Sequence, residues 1–321
     1  MVRTGLAITA CVALCIPATG TALAQSWPAK PIRMISPFPP GGGIDASARI
    51  VSQALTQQLG QQVVVENRGG AAGRIGTEVA AKAAPDGYTL LLGSIAPNAI
   101  IPSSGVKLPY DAIRDFAPIS LVGATDYTLV VHPSLPARSV AELLQLAKRK
   151  PRELTFGSSG NLTASHLSGE LLNLRGKVHT THVAYKGTGI AAVAVLSGEI
   201  VMLFGSGPSV APHVHAKRLR PLATTGSKRS NPKLPLMNET LPGFEVTQWY
   251  GVLAPAGTPL PIVTTLNTEI ARAVETPRVA QQFASIGAEA VASTPANFAA
   301  LIKADIARWG TVLRAANIVV D

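Results

Sequence analysis

IRMISPFPPGGGIDASARIVSQALTQQL, residues 32–59, holds in order a short apolar run, a loop of prolines and glycines, and an amphipathic stretch. Ile32 to Ser36 predicts a strand, Pro37 to Gly43 a loop, and Ala46 to Leu59 a helix, because Ile50, Val51, Leu55 and Leu59 fall on one stripe. The pattern continues with a strand at Gln62 to Glu66, a glycine-rich turn at Arg68 to Gly73 and a helix around Gly76 to Ala84. The turn Pro85-Asp86-Gly87 then precedes a strand at Tyr88 to Leu92.

The same order recurs further along. Leu154 to Gly157 reads as a strand, Ser158 to Thr163 as a loop and Ser165 to Leu174 as a helix. A strand near Val178 to Val183, the loop Tyr185-Lys186-Gly187, a helix to Leu196 and a strand at Ile200 to Phe204 complete the second copy. Alternating β and α units of this size predict mostly parallel sheets covered by helices, and two copies predict two lobes of an α/β protein. Asp126 to His132 reads as a strand leaving the first lobe and Gln248 to Ala254 as one returning, before a helical stretch from Leu260 to Ala315. Two crossing strands make a hinge. The expected layout is a first lobe of residues 25–125 and 250–321, with residues 126–249 inserted as the second.

Ligands of parallel sheets bind where loops leave the carboxyl ends of strands. Here those loops are Pro37 to Gly43 and Ser158 to Thr163, and both open into helices. Glycines let backbone N–H groups approach a ligand, and a helix N-terminus favours an anion without any basic side chain. Serine, threonine and asparagine side chains add donors. Gly93-Ser94-Ile95 and Gly205-Ser206-Gly207 follow apolar strands at the same edge, so Ser94 and Ser206 are expected in the cleft. Asp45, in the first turn of its helix, either complements the helix dipole or contacts a ligand.

Met1 to Ala24 has the parts of a cleavable signal peptide: Arg3, the apolar run Leu6 to Ile16, the breakers Pro17 and Gly20, and the small-residue site Ala22-Leu23-Ala24. A periplasmic protein is expected, cleaved before Gln25. Ile8-Thr9-Ala10-Cys11 resembles a lipoprotein box, but anchoring at Cys11 would leave too short an apolar run, so cleavage after Ala24 is preferred. Cys11 and Cys15 both lie in this segment, and the mature chain has no thiol for a disulfide or a metal. Cleavage removes one arginine and no acid from a net charge of +10, leaving +9 on 297 residues. The basic groups Lys148-Arg149-Lys150 with Arg152, and Lys217-Arg218 with Arg220, lack the aromatic neighbours of single-strand binders and read as solvated helix ends, so no nucleic acid is expected.

An enzyme would need a catalytic constellation. The chain has no G-x-S-x-G elbow, phosphate loop or H-E-x-x-H helix. Gly187 to Ala192 fits G-x-G-x-x-A after a strand but has no acidic residue about twenty positions on, so it reads as a plain helix start and no cofactor is expected. His179 with His182, and His213 with His215, have no acidic or cysteine partner nearby, so no metal is expected.

Seven runs, in order over essentially the whole mature chain, carry a resemblance. They are Trp27-Pro-Ala-Lys-Pro-Ile-Arg33, Pro37-Phe-Pro-Pro-Gly-Gly-Gly-Ile-Asp45, Val64-Val-Glu-Asn-Arg68, Ala84-Pro-Asp-Gly-Tyr-Thr-Leu90, Gly157-Ser-Ser-Gly-Asn161, His182-Val-Ala-Tyr-Lys-Gly187 and Trp249-Tyr-Gly-Val-Leu-Ala-Pro255. Together they resemble the Bug family, the extracytoplasmic receptors of tripartite tricarboxylate transporters. The resemblance implies a periplasmic-binding fold of type II, a Venus flytrap, that closes on a carboxylate such as a di- or tricarboxylate, an acidic amino acid or an aromatic acid. Carried over residue by residue, it implies binding positions at Phe38, Pro39, Gly42, Gly43 and Asp45 in the first lobe, and at Ser158, Asn161 and Thr163 in the second. It also implies a monomer whose partners are integral-membrane transporter subunits or, alternatively, a sensor kinase. Where the family often has an acid after the strand-end phenylalanine, this chain has Gly205 after Phe204, which favours a plain or aromatic carboxylate over one bearing an ammonium.

Overall fold

A computed structural model describes residues 27–229, 231–316 and 318. The signal-peptide expectation, with Cys11 and Cys15, lies outside the described residues.

The first copy folds as β1 (Ile32–Ser36), α1 (Gly43–Leu59), β2 (Val63–Asn67), α2 (Arg74–Ala81) and β3 (Thr89–Ser94). Ile32, Met34 and Ile35 are fully buried while Arg33 stays at the surface beside Glu66. Helix α1 begins one turn earlier than expected: Gly42 is its N-cap, and Ala46 N–H donates to Gly42 O at 3.0 Å. The second copy is β5 (Thr155–Ser158), α4 (Ala164–Gly176), β6 (Thr181–Ala184), α5 (Thr188–Ser197) and β7 (Met202–Ser206). β1 pairs in parallel with β2 and β3, and β5 in parallel with β6 and β7. The strand orders β2-β1-β3 and β6-β5-β7 are the same arrangement used twice.

Strands β4 (Phe116–Val131) and β9 (Thr247–Pro255) join the copies. From Phe116 to Asp126, β4 pairs antiparallel with β9, and from Tyr127 to Val131 it pairs with β7 and with β8 (Arg220–Thr224). β9 also pairs antiparallel with β3. Each lobe therefore takes as its fourth strand one that has arrived from the other lobe. β4 is far longer than the seven residues the sequence suggests, because register shifts at Pro118/Ser120 and Leu121/Gly123 let it bend without breaking. Thr225 fastens the crossing: its hydroxyl donates to Val246 O at 2.6 Å and accepts from Tyr127 N–H at 2.9 Å, and its backbone bonds the same two residues.

The expected helical stretch after Leu260 is three helices, α8 (Leu260–Val274), α9 (Pro277–Ser285) and α10 (Pro295–Ala315), with the two-residue β10 (Glu289–Ala290) on the edge of β4. Thr276 and Thr294 cap α9 and α10, each followed by proline at the first helical position. Helices α3 (Val140–Arg149) and α6 (Gly207–His215) and the short α7 (Met237–Thr240) complete the second lobe. One apolar cluster runs through the crossing, from Ile35 and Leu91 through Trp249 to Phe156 and Phe204. No helix among the described residues is long and apolar enough to cross a membrane.

Candidate ligand-binding cleft

Strand register locates the cleft. β3 ends at Ser94, which lies opposite Tyr250 of β9, and Tyr250 lies opposite Gly123 of β4. β7 ends at Ser206, opposite Tyr127 of the same β4. Because β3 runs with β4 and β7 against it, the two carboxyl ends point at each other across four residues of one strand, about 13 Å. The segments 123–127 and 247–250 floor that gap.

On the first lobe the loop between β1 and α1 is bedded on the glycine-rich turn. A Cβ on Gly73 would lie 2.9 Å from the Phe38 ring, and one on Gly76 would lie 2.7 Å from Pro37 Cα, so neither position has room for a side chain. Phe38 is half-buried and Pro39, Gly41 and Gly42 are exposed. Asp45 fastens the loop from the helix side. Its Oδ2 accepts from Gly41 N–H and from Arg49 Nε, both at 3.1 Å, and its Oδ1 accepts from Asn67 Nδ2 at 2.8 Å. Asn67 Nδ2 also donates to Phe38 O at 3.0 Å. Burial pushes the Asp45 carboxyl up, but the bonds from Arg49, Asn67 and Gly41 outweigh it and hold it below the ordinary aspartate value. The carboxylate is thus engaged on both oxygens. Besides lying in the first turn of α1, where it complements the helix dipole, Asp45 ties the loop to β2 through Asn67. Helix α1 has no side-chain cap, and its first-turn N–H groups face the loop.

On the second lobe most of the expected donors are also engaged within the loop. Ser158 Oγ accepts from Gly160 N–H at 3.1 Å and sits 2.6 Å from His182 Nε2. Thr163 Oγ1 donates to Gly160 O at 2.8 Å and caps α4 through His166 N–H at 3.4 Å. His166 Nδ1 accepts from Leu162 N–H at 3.1 Å, which allows Leu162 its positive φ of 58°. The two histidine rings stack at 3.9 Å between centroids, with Phe156 4.9 Å from His182. Burial, and then the neighbouring His166, bring the His182 imidazole down to about 4 against a weaker opposing pull from Glu170. Asn161 remains exposed at the tip.

Residues 47–318 match the model of the tripartite tricarboxylate transporter family receptor. The chain belongs to that family. BugT of Bordetella pertussis is 40% identical over 295 residues, 91% of this chain and 90% of that protein. Among solved structures, an R. palustris protein with adipate aligns at a TM-score of 0.86 and 34% identity, over 91% of this chain and 99% of the other. MatC from Rhodopseudomonas palustris with bound malate aligns at 0.82 and 30%, over 89% and 100%. The two-lobed type II fold and the expectation of a solute-binding receptor rather than an enzyme are both borne out.

In this receptor Ser94 and Ser206 have different surroundings. Ser94 is wholly buried as the last residue of β3, not in an open loop, because the chain turns at once into the helical turn Ala96–Ile100. Its N–H donates to Asn98 Oδ1 at 3.1 Å and its hydroxyl has no hydrogen-bond partner. Ser206 is half-buried and forms a triangle of hydroxyls with Thr188 at 3.0 Å and Ser209 at 2.9 Å, while Thr188 and Ser209 lie 2.7 Å apart. The triangle joins the first turns of α5 and α6. Thr188 and Ser209 were not singled out from sequence, although each lies at a helix start that follows a strand of the second copy. At Gly205 an ideal Cβ collides with Cγ1 of Val210, so the place of a side chain there is filled by the valine. A hollow of about 490 Å³ lined by Pro102, Tyr110, Asp111 and Ile306 shares no residue with either loop.

Proposed function

We propose that this receptor captures a small carboxylate between its lobes, residues 25–125 with 250–321 and residues 126–249, and presents it to integral-membrane transporter subunits from the periplasm. The observation that carries the reading is the uncapped N-terminus of a 17-residue helix, preceded by exposed glycines, at the end of β1, whose parallel neighbour β3 ends facing β7 across the crossing strands. First-turn N–H groups there suit a carboxylate. Phe38, Pro39, Gly42 and Gly43 line the first lobe's side and Asn161 the second's. Asp45, Ser158 and Thr163 act by holding their loops in shape, Ser94 backs the first lobe from within, and Ser206 receives the far end of the ligand. A di- or tricarboxylate or an aromatic acid is favoured over an ammonium-bearing ligand, since Asp45 is engaged and position 205 carries no acid. The solved relatives with adipate and with malate support a dicarboxylate. Closure follows because only the closed form brings both loops to one ligand.

The test is thermal denaturation of residues 25–321 with adipate, malate, benzoate and the neutral control adipamide. Ligand at about a hundred times its dissociation constant stabilises by about 2.7 kcal/mol, a clear rise in Tm. A rise with at least one carboxylate and none with adipamide supports the reading, and no rise with any carboxylate rejects it.

A further inference from the structure

Tyr250 is 3% exposed, its ring packed in the apolar cluster with Val122, Val252 and Ala254, and its hydroxyl takes no part in the side-chain hydrogen bonds seen among the described residues, nor is it one of the fully enclosed unpaired polar atoms. The phenol oxygen is thus left free to donate, and phenylalanine would fill the space of the ring without it. The hydroxyl is directed at the first turn of α1: Oη lies 2.7 Å from the place a Cβ on Gly43 would take. Gly43 therefore leaves room for Oη, and the helix start, whose N–H groups have no side-chain cap, meets a phenolic donor from the floor of the cleft. Burial, and then the nearby Tyr127, drive the Tyr250 phenol far above its ordinary value, so it stays a neutral donor. Tyr250 also sits on the crossing strand, where Ser94 and Gly123 are its register partners.

We propose that Tyr250 is a ligand-binding residue, its hydroxyl donating to a carboxylate oxygen of the ligand seated on the α1 N-terminus. This rests on the carboxylate reading above. The hydroxyl sets how deep the carboxylate sits and gives the crossing strand, and so the hinge, a direct contact with the ligand.

Titration calorimetry with adipate, malate and benzoate on the wild type, Tyr250→Phe, Gly43→Ala and the double variant tests it, alongside the Tm of each protein without ligand. Tyr250→Phe weakens binding of whichever probe the wild type takes by tenfold or more, with an unliganded Tm close to that of the wild type. Gly43→Ala, which crowds Oη while leaving Tyr250 in place, weakens binding as well, and its effect shrinks when combined with Tyr250→Phe because the two changes act through one oxygen. A Tyr250→Phe affinity within twofold of the wild type, or purely additive effects in the cycle, overturns the assignment and leaves the carboxylate reading standing. A wild type that binds none of the three probes removes both.

Discussion

His182 makes the second lobe sensitive to acid in a range that separates it from Asp45. In the folded protein its imidazole titrates at about 4, against an ordinary value of 6.5, because it is buried and stacked on His166. Between those two pH values the unfolded chain binds a proton that the folded chain excludes, so stability falls as pH drops from 6.5 to 4 and is unaffected above 6.5. The undiscounted value is about 1.4 kcal/mol per pH unit over roughly two and a half units, about 3 kcal/mol. His182 retains some solvent contact, and screening reduces that to about 1–2 kcal/mol. At about 2–4 °C per kcal/mol this is a Tm loss of several degrees between pH 7 and pH 4.5. Asp305, whose carboxyl burial raises against the bond from Trp249, titrates above the ordinary aspartate value with the opposite sign, so the profile of one protein alone mixes the two. The assay is therefore a comparison of wild type and His182→Gln by thermal denaturation at several pH values from 7 to 4.5. The glutamine variant should start lower and lose less on acidification. If both proteins lose the same Tm over that range, His182 is not an imidazole held neutral by its surroundings, and the account of the stacked pair behind Ser158 fails.

Asp45→Asn keeps an acceptor for Asn67 but sets an N–H group against Gly41 N–H or Arg49, a loss of about 2 kcal/mol that calorimetric unfolding would register, with weaker carboxylate binding as the loop loosens. Because the Asp45 carboxyl is held below its ordinary value of 3.8, its contribution is present above that pH and is lost only below it. The variant's unfolding should accordingly be flatter in the most acidic range and unchanged in slope above it. Gly205→Asp, which places a carboxylate at the end of β7, should cost about 1–3 kcal/mol through collision with Val210, measured by urea unfolding. Adding Val210→Ala should recover part of that loss, and an unaltered midpoint for the single variant would show that the site has room.

What was legible in the sequence follows from where each signal resides. The duplicated strand–loop–helix units were readable because Ile32 to Leu59 and Leu154 to Leu174 carry their apolar periods uninterrupted. β4 is legible only in its second half, since Pro118, Ser120 and Gly123 break the alternation where the strand shifts register. The helices after Leu260 share one continuous apolar period, and only the Thr-Pro pairs at 276–277 and 294–295 mark the later two starts. β8 and β10 leave little signal of their own, because each is a short edge pairing whose existence depends on β4 rather than on its own residues. In the site, the glycines announced both loops, but a hydroxyl's availability depends on neighbours distant in the chain. Ser158 is engaged by His182, 24 positions away, and Asp45 by Asn67, 22 positions away.

The same dependence bears on how an anion could be selected at a site with so little basic side chain. Asp45 places a negative charge in the first turn of α1, where it would repel a carboxylate, but Arg49 at 3.1 Å and Asn67 at 2.8 Å compensate it. Glu170 on α4 is turned toward His166, its Oε1 3.6 Å from Nε2, one turn beyond the loop. With the acid of the first lobe's loop tied to its own scaffold, helix N-termini, hydroxyls and the long-range potential of a chain with net charge +10 favour an anion at the gap, against the opposing charge of Asp126 in the floor segment. Long-range charge steers an anion toward the protein without discriminating among anions, whereas N–H groups and hydroxyls at fixed positions discriminate by shape. On this argument, raising the salt concentration should slow ligand association while leaving the rank order of carboxylates unchanged, because screening weakens the steering far more than the short hydrogen bonds at the floor.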